Sequence, residues 1–318
     1  MRINVLDLGS QTFHLLSADV RGGVVLPLYD AKVPVRIGEG AFRDGAIDHD
    51  AFQRGIAAIE TLLAPLESRQ AIAIATAVFR ESSNAAAFLA EVRRRFDLDV
   101  RIISGEEEAR LTYRAVCAEV HDPHARIAVI DLGGGSLECM LGNAGQLALA
   151  TSFPLGALRL STVLARGTTQ LAALVTESTG TTLDAIRRSE PDAVVLTSGT
   201  ARALLRVAWR LGRSEPVAGC LSVATLVALA SRLSGMASPE LAAAGVAEAR
   251  LDTIATGAVV LATVVSQLGV PFVRVAQGAV REGLALSIAD ALERTVPRAR
   301  DVVAHGAPRQ HAADADRR

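Results

Sequence analysis

Two turns of the same design constrain this chain more than any other feature. One apolar run, Ile3 to Leu6, delivers Asp7-Leu8-Gly9-Ser10, and a second, Ile127 to Ile130, delivers Asp131-Leu132-Gly133-Gly134-Gly135-Ser136. Each run reads as a buried strand. The glycines after it let backbone N–H groups approach an anion closely, and the aspartate can meanwhile hold a hard cation. Two such turns facing each other would enclose a polyanion and its metal between two domains, which points to phosphoryl chemistry.

The size fits two domains: 318 residues, 50% of them hydrophobic, can bury a sizeable core. A formal net charge of −1 and 3% aromatics supply neither a general basic field nor base-stacking platforms, so nucleic acid is not an expected partner. Any anion site must be local. The basic residues are almost all arginine, with Lys32 the only lysine. This suits bidentate phosphate contacts and equally fits a coding bias toward arginine. It excludes a G-x-x-x-x-G-K-[ST] loop and leaves Schiff-base chemistry only Lys32. Cys117, Cys139 and Cys220 lack any C-x-x-C spacing, so neither a disulfide framework nor structural zinc is indicated, and a reducing cytoplasm is the expected setting. Asp7 interrupts the short apolar start, which therefore does not read as a signal peptide. The uncharged window Thr253 to Val273 is broken by polar residues and by Gly269-Val270-Pro271. It reads as a core helix and short strand rather than a membrane span. A homodimer paired through this apolar stretch and burial within one chain explain it equally.

Along the chain, strands are expected at Ile3 to Leu6, Thr12 to Val20 and Val24 to Tyr29, then a helix capped by Asp48. A small-residue strand, Ala71 to Ala75, ends at Thr76-Ala77-Val78-Phe79-Arg80, which leaves Arg80 in a loop. Ser82, Ser83 and Asn84 offer caps for the next helix. After a strand at Val100 to Ile103, Ser104 and Glu107 form a capping box opening a further helix. The order strand, turn, strand, strand begins again after a joint at His121-Asp122-Pro123-His124. Helices are expected at 158–165, 171–188, 200–211, 223–233, 252–268 and 281–292. A strand at Ala193 to Thr197 leads to a third phosphate-sized turn, Ser198-Gly199-Thr200. The domains are placed at 1–123 and 124–298, with 299–318 a frayed tail.

Six segments occur in an order that resembles the exopolyphosphatase and guanosine pentaphosphate phosphohydrolase family: Asp7 to Gln11, Thr76 to Arg80, Ser104 to Ala109, Asp131 to Glu138, Pro154 to Arg159 and Glu248 to Asp252. The resemblance is to its short, two-domain members and implies an α/β fold of two related actin-like (ribonuclease H-like) domains with a cleft between them. It implies release of orthophosphate from inorganic polyphosphate, with guanosine penta- or tetraphosphate or a nucleotide as further substrates. Glu108, directly before Ala109, corresponds to the catalytic base. Without the resemblance, Glu106, Glu107 and Glu108 are explained by the helix dipole alone. Asp131 and Glu138 flank the glycine turn as Mg2+ ligands, supported by Asp7, although a tight hairpin with solvent-facing carboxylates fits the same residues. Phosphate would be held by Gly9, Ser10, Gln11, Gly133, Gly134, Gly135, Ser136 and Arg80, and less firmly by Arg159 and Arg250, with Asp252 orienting Arg250. The six histidines form no metal cluster and read as non-catalytic.

Two positions depart from the family pattern. Gln11 stands where Asn is usual, and Leu137 stands where Thr is usual. A cradle hydroxyl lost at 137 would weaken phosphate binding by about 1.5 to 3 kcal/mol. A protein that binds polyphosphate or alarmone with little or no turnover, and a phosphotransferase of the same fold, are the competing readings.

Overall fold

The computed structural model describes residues 1–67, 70–120, 122, 124–212 and 219–295. The tail, with His305 and His311, and the joint residues His121 and Pro123 lie outside the described residues.

The first half forms β1 (Arg2–Leu8), β2 (Thr12–Arg21), β3 (Val24–Pro34), α1 (Gly38–Asp44), α2 (His49–Leu63), β4 (Ile72–Ala75), α3 (Ala77–Glu81), α4 (Ala85–Phe96), β5 (Val100–Ile102) and α5 (Gly105–Val120). The second half forms β6 (Arg126–Leu132), β7 (Leu137–Asn143), β8 (Gln146–Phe153), α6 (Ser161–Leu164), α7 (Thr168–Arg188), β9 (Ala193–Thr197), α8 (Gly199–Arg210), β10 (Cys220–Ser222), α9 (Val223–Ser234), α10 (Ser238–Ala243), α11 (Ile254–Leu268), β11 (Phe272–Val275) and α12 (Val280–Thr295).

The two sheets repeat one topology. In the first, the order is β3-β2-β1-β4-β5, with β1, β4 and β5 parallel. In the second, β8-β7-β6-β9-β11 follows the same path and β10 adds an antiparallel edge. Asp7 pairs with His14 in the first hairpin as Asp131 pairs with Glu138 in the second. This is the two-unit α/β architecture that the repeated turn implies.

Strand alternation assigns the faces. Leu6 and Leu8 pack outward under α2 and α4, whereas Ile3 and Val5 pack inward under α12. In the second sheet Ala128, Ile130 and Leu132 join the outer core with α7, α8, α9 and α11, and Ile127 and Val129 face α5. Helices α5 and α12 therefore lie between the two sheets. The last described helix packs against the first sheet and α5 although it follows the second sheet in sequence. Helix α11 spends its apolar surface inside the second half, where Gly257 to Ala262 are all buried.

Several local expectations change. Thr76 to Arg80 does not stay extended: Ala77, Val78 and Phe79 are buried, Phe79 packs near Phe13 and Phe88, and the segment closes into α3. Arg80 is thus on a short helix rather than a loop. Asn84 makes no cap; its side chain bonds both the N–H and the C=O of Ile47. Only half of the capping box forms. Glu107 N–H donates to Ser104 Oγ at 3.1 Å, but the Glu107 carboxylate turns to Arg101. The short β10 and α10 give no periodic signal in the sequence.

Close packing of α12 on α5 depends on Gly283, where an added Cβ would collide with the Leu111 backbone carbonyl. Backbone cannot yield as a flexible side chain can. Gly283→Ala is expected to lower stability by about 1 to 3 kcal/mol in urea unfolding.

Candidate active site

The two aspartate turns meet. Gly135 lies so close to the first turn that an added Cβ would stand 2.8 Å from Ser10 Oγ and 2.6 Å from the Phe42 ring. Between the turns lies a cleft of 180 Å³ lined by Asp7, Gly9, Ser10, Gln11, Glu108, Asp131, Gly133, Gly134, Gly135, Ser136 and Arg250 among the expected residues. The amide N–H groups of Ser10, Gly134 and Gly135 have no hydrogen-bond acceptor among the described residues. Free, convergent amides are what an anion nest requires. The second turn is braced from behind, because Gly133 C=O accepts from Ala157 N–H and Gly134 C=O accepts from Leu158 and Arg159.

Alternation on β6 and β7 puts Asp131 and Glu138 on the face toward α5, whose first turns carry Glu108 and Thr112. Thr112 Oγ1 donates to Asp131 Oδ2 at 3.4 Å, and Ser152 Oγ donates to Glu138 Oε1 at 2.7 Å. Arg80 Nη1 donates to Glu108 Oε2 and to the Ile103 carbonyl, both at 2.9 Å. Asp7 lies 3.6 Å from Arg281 of α12, while its Oδ1 is buried without a partner.

Burial raises all four carboxyls. It pushes Glu108 up to about 7, with Arg80 opposing and Asp7 and Asp131 adding repulsion. It raises Asp7 and Asp131 to about 6 each and holds Glu138 well above the carboxylate range, where Glu108 and Asp131 repel it further. Among the described residues no three His, Cys, Asp or Glu side chains form a metal-holding group by themselves. Mg2+ rarely needs one, since it takes one or two carboxylates and completes its shell with water and substrate phosphate. Paired carboxylates kept together in a dry site, with the orphaned Asp7 Oδ1 beside them, fit such an ion.

Three expected residues do not line the cleft. Arg80 stands behind Glu108. Glu138 is 1% exposed, behind the turn. Arg159 donates from Nε to Gly135 C=O at 2.8 Å, pairs with Glu81 at 2.7 Å and stacks 4.0 Å over Phe42, so it straps the second turn to α3. Gln11 lines the cleft, but its side-chain amide donates to Ala249 C=O at 2.9 Å and Thr253 Oγ1 at 3.1 Å across the cleft. Asp252 does not orient Arg250; it pairs with Arg36. Leu137 is fully buried in the outer core with Leu132 and Leu155, facing away from the cleft, so no hydroxyl is lost there. In the third turn, Ser198 Oγ accepts from Thr200 and Ala201 N–H as an ordinary helix cap.

Sequence reasoning missed a cationic wall of Arg202, Arg206, Arg281 and Lys32. Arg202 and Arg206 are four apart at the start of α8 and so share one face, a spacing that pointed toward the Ser198 turn. Beside them Arg250 is lowered to about 10 by burial and by Arg202 and Arg206.

The model of the Ppx/GppA phosphatase family matches residues 17–292. Exopolyphosphatase 1 of Mycobacterium tuberculosis is 32% identical over 309 residues, covering 90% of this chain and 88% of that protein. Exopolyphosphatase 1 of Mycobacterium leprae is 31% identical over 306 residues, covering 90% and 89%. An exopolyphosphatase structure from Cytophaga hutchinsonii shares the fold with a TM-score of 0.82 at 25% identity, over 92% of this chain and 98% of that one. A Ppx/GppA family member from Aquifex aeolicus does so at 0.73 and 21%, over 93% and 99%. Two related actin-like α/β units around a carboxylate-lined anion cleft thus define the class. The chain belongs to the Ppx/GppA phosphatase family.

Two outcomes test this site. Because the folded state raises these carboxyls above their unfolded values, it binds protons more tightly, and stability falls as pH rises from about 4 through about 7. In buffer free of divalent cation and phosphate, the melting temperature should climb as pH drops from 8 toward 5. Glu108→Gln should flatten that slope by roughly 1 to 3 kcal/mol. Leu137→Thr should cost about 2 kcal/mol or more in chemical denaturation, since it buries a hydroxyl in an apolar core, and should not increase anion affinity.

Proposed function

We propose that this chain is a Mg2+-dependent phosphohydrolase that releases terminal orthophosphate from inorganic polyphosphate, with guanosine penta- or tetraphosphate as further substrates and the cytoplasm as its setting. The observation that carries this reading is Glu108: a half-buried carboxylate on the cleft wall, held by Arg80 and raised by desolvation to about 7, in one cleft with the free amides of two phosphate-sized turns. A general base works best with a pKa near the working pH.

In this reading the chain end enters between residues 1–123, to which α12 adds itself, and the unit that begins at 124. Amides of Ser10, Gly134 and Gly135, with the Ser136 hydroxyl and Arg250, hold the terminal phosphate oxygens. Asp131, which lines the cleft, would hold the metal with Glu138 reaching it from behind the turn and Asp7 in support; a bound Mg2+ would supply charge neutralisation at the phosphate oxygens. Glu108 accepts a proton from a water, whose oxygen bonds to the terminal phosphorus as the P–O bond to the bridging oxygen breaks. Orthophosphate and a chain one unit shorter leave. Arg80 acts through Glu108: its hydrogen bond fixes the carboxylate's orientation and opposes the rise in its pKa.

The conservative test is Glu108→Gln. Phosphate release from long polyphosphate with Mg2+ is expected to fall about 100-fold or more, with binding of the chain retained in calorimetry and activity of the parent lost on chelation. A Glu108→Gln protein as active as the parent would falsify the assignment. The amide substitution removes the base and keeps its size, so retained melting temperature separates lost chemistry from lost structure.

A further inference from the structure

A second, larger cavity of 740 Å³ adjoins the cleft, and His14, Lys32, Arg202 and Arg281 line both. Its acidic residues are already engaged. Asp30 accepts from His14 at 3.0 Å, Glu119 accepts from the N–H groups of Gln277 and Gly278 at 2.9 and 2.8 Å, and Glu282 accepts from Ala279 N–H at 2.8 Å. Of the cations around the passage, Arg281 pairs with Asp7 and Glu282, at 3.6 Å each, whereas Lys32, Arg202 and Arg206 have no carboxylate in ion-pair contact among the described residues. Arg202 reaches only the carbonyls of Ala276 and Gln277, at 3.3 and 2.9 Å. The side chains of Lys32 and Arg206 have no hydrogen-bond or ion-pair partner among the described residues. The Lys32 ammonium is held below its ordinary value by partial burial and then by Arg250, Arg202 and Arg206, with Asp30 of the same strand opposing only in part. Like charges gathered at one opening repel each other until an anion joins them.

A linear phosphoanhydride anchored by its end in the 180 Å³ cleft has a route past Lys32 and Arg202 into the larger cavity, since both residues line the two spaces. We infer that Lys32, at the passage into the larger chamber, and Arg206, on the cleft side of it, form a second anion subsite, which takes phosphates behind the terminal ones and makes Lys32 the residue that discriminates long chains from short ones. This rests on the polyphosphate reading proposed above. Lys32 sits on β3, opposite His14 of β2, whereas Arg206 belongs to α8 of the other half, so one chain would bridge both halves.

The test compares kcat/KM for long-chain polyphosphate with that for tripolyphosphate, in the parent, Lys32→Met, Lys32→Arg and the exposed control Arg188→Met on α7. The expected result is that the long-to-short ratio falls about tenfold in Lys32→Met, chiefly through KM, and is retained in Lys32→Arg and Arg188→Met. An unchanged ratio in Lys32→Met overturns the inference, as does an equal fall in Arg188→Met, which would mean a general charge effect. Calorimetric binding of the same two anions without Mg2+ separates this inference from the hydrolase reading. If no variant releases phosphate yet Lys32→Met loses the parent's preference for the long chain, hydrolysis fails and the subsite stands. If phosphate is released and the preference survives in Lys32→Met, the subsite fails and hydrolysis stands.

Discussion

Four carboxylates, two buried and two half-buried, gather where two sheets point their inner faces at one another, and most of the structure answers to that arrangement. Desolvation raises the proton affinity of Asp7, Asp131, Glu138 and Glu108, and repulsion between neighbouring carboxylates adds to it for Asp7, Glu108 and Glu138. Such a cluster is tolerable only with protons, cations or hydrogen-bond donors to offset it. The chain provides Arg80 for Glu108, Arg281 for Asp7, Thr112 for Asp131 and Ser152 for Glu138. Asp7 Oδ1 is left without a protein partner.

The halves must also be held at a spacing that lets both turns reach one anion. That task falls in part on two residues the sequence assigns to substrate, Gln11 and Arg159. Gln11 reaches Ala249 and Thr253, Arg36 pairs with Asp252, and Arg159 pairs with Glu81. On the other side α12 crosses back to the first sheet and packs on α5. An arginine or amide near a phosphate turn can serve the turn's position instead of the phosphate, and the motif is the same in either case. Exposed surface ion pairs contribute little by themselves. These straps act at one seam, where the geometry they set is shared by every amide in the cradle.

Much of this was legible in the residues. The apolar run, aspartate and glycine turn, repeated after about 124 residues, foretold two equivalent hairpins and a shared cleft, because period-two alternation and glycine geometry are local properties. Glu108 was legible only through resemblance, since three successive glutamates at a helix start look alike until packing turns one of them inward. Arg202, Arg206 and Arg281 were not legible: α8 and α12 come from distant sequence, and only the fold brings their faces to the turns.

The sequence by itself determined the two strand-borne aspartates, the glycine turns beside them and the cap at Asp48, each set by backbone preferences within a few residues. Tertiary structure alone decided which side chains face the anion. The side chain at 137 enters the core by strand alternation, Gln11 and Arg159 are drawn to partners across the seam, and a cationic wall assembles from three separate elements. Direction in space depends on packing partners far along the chain, and no local pattern carries that information.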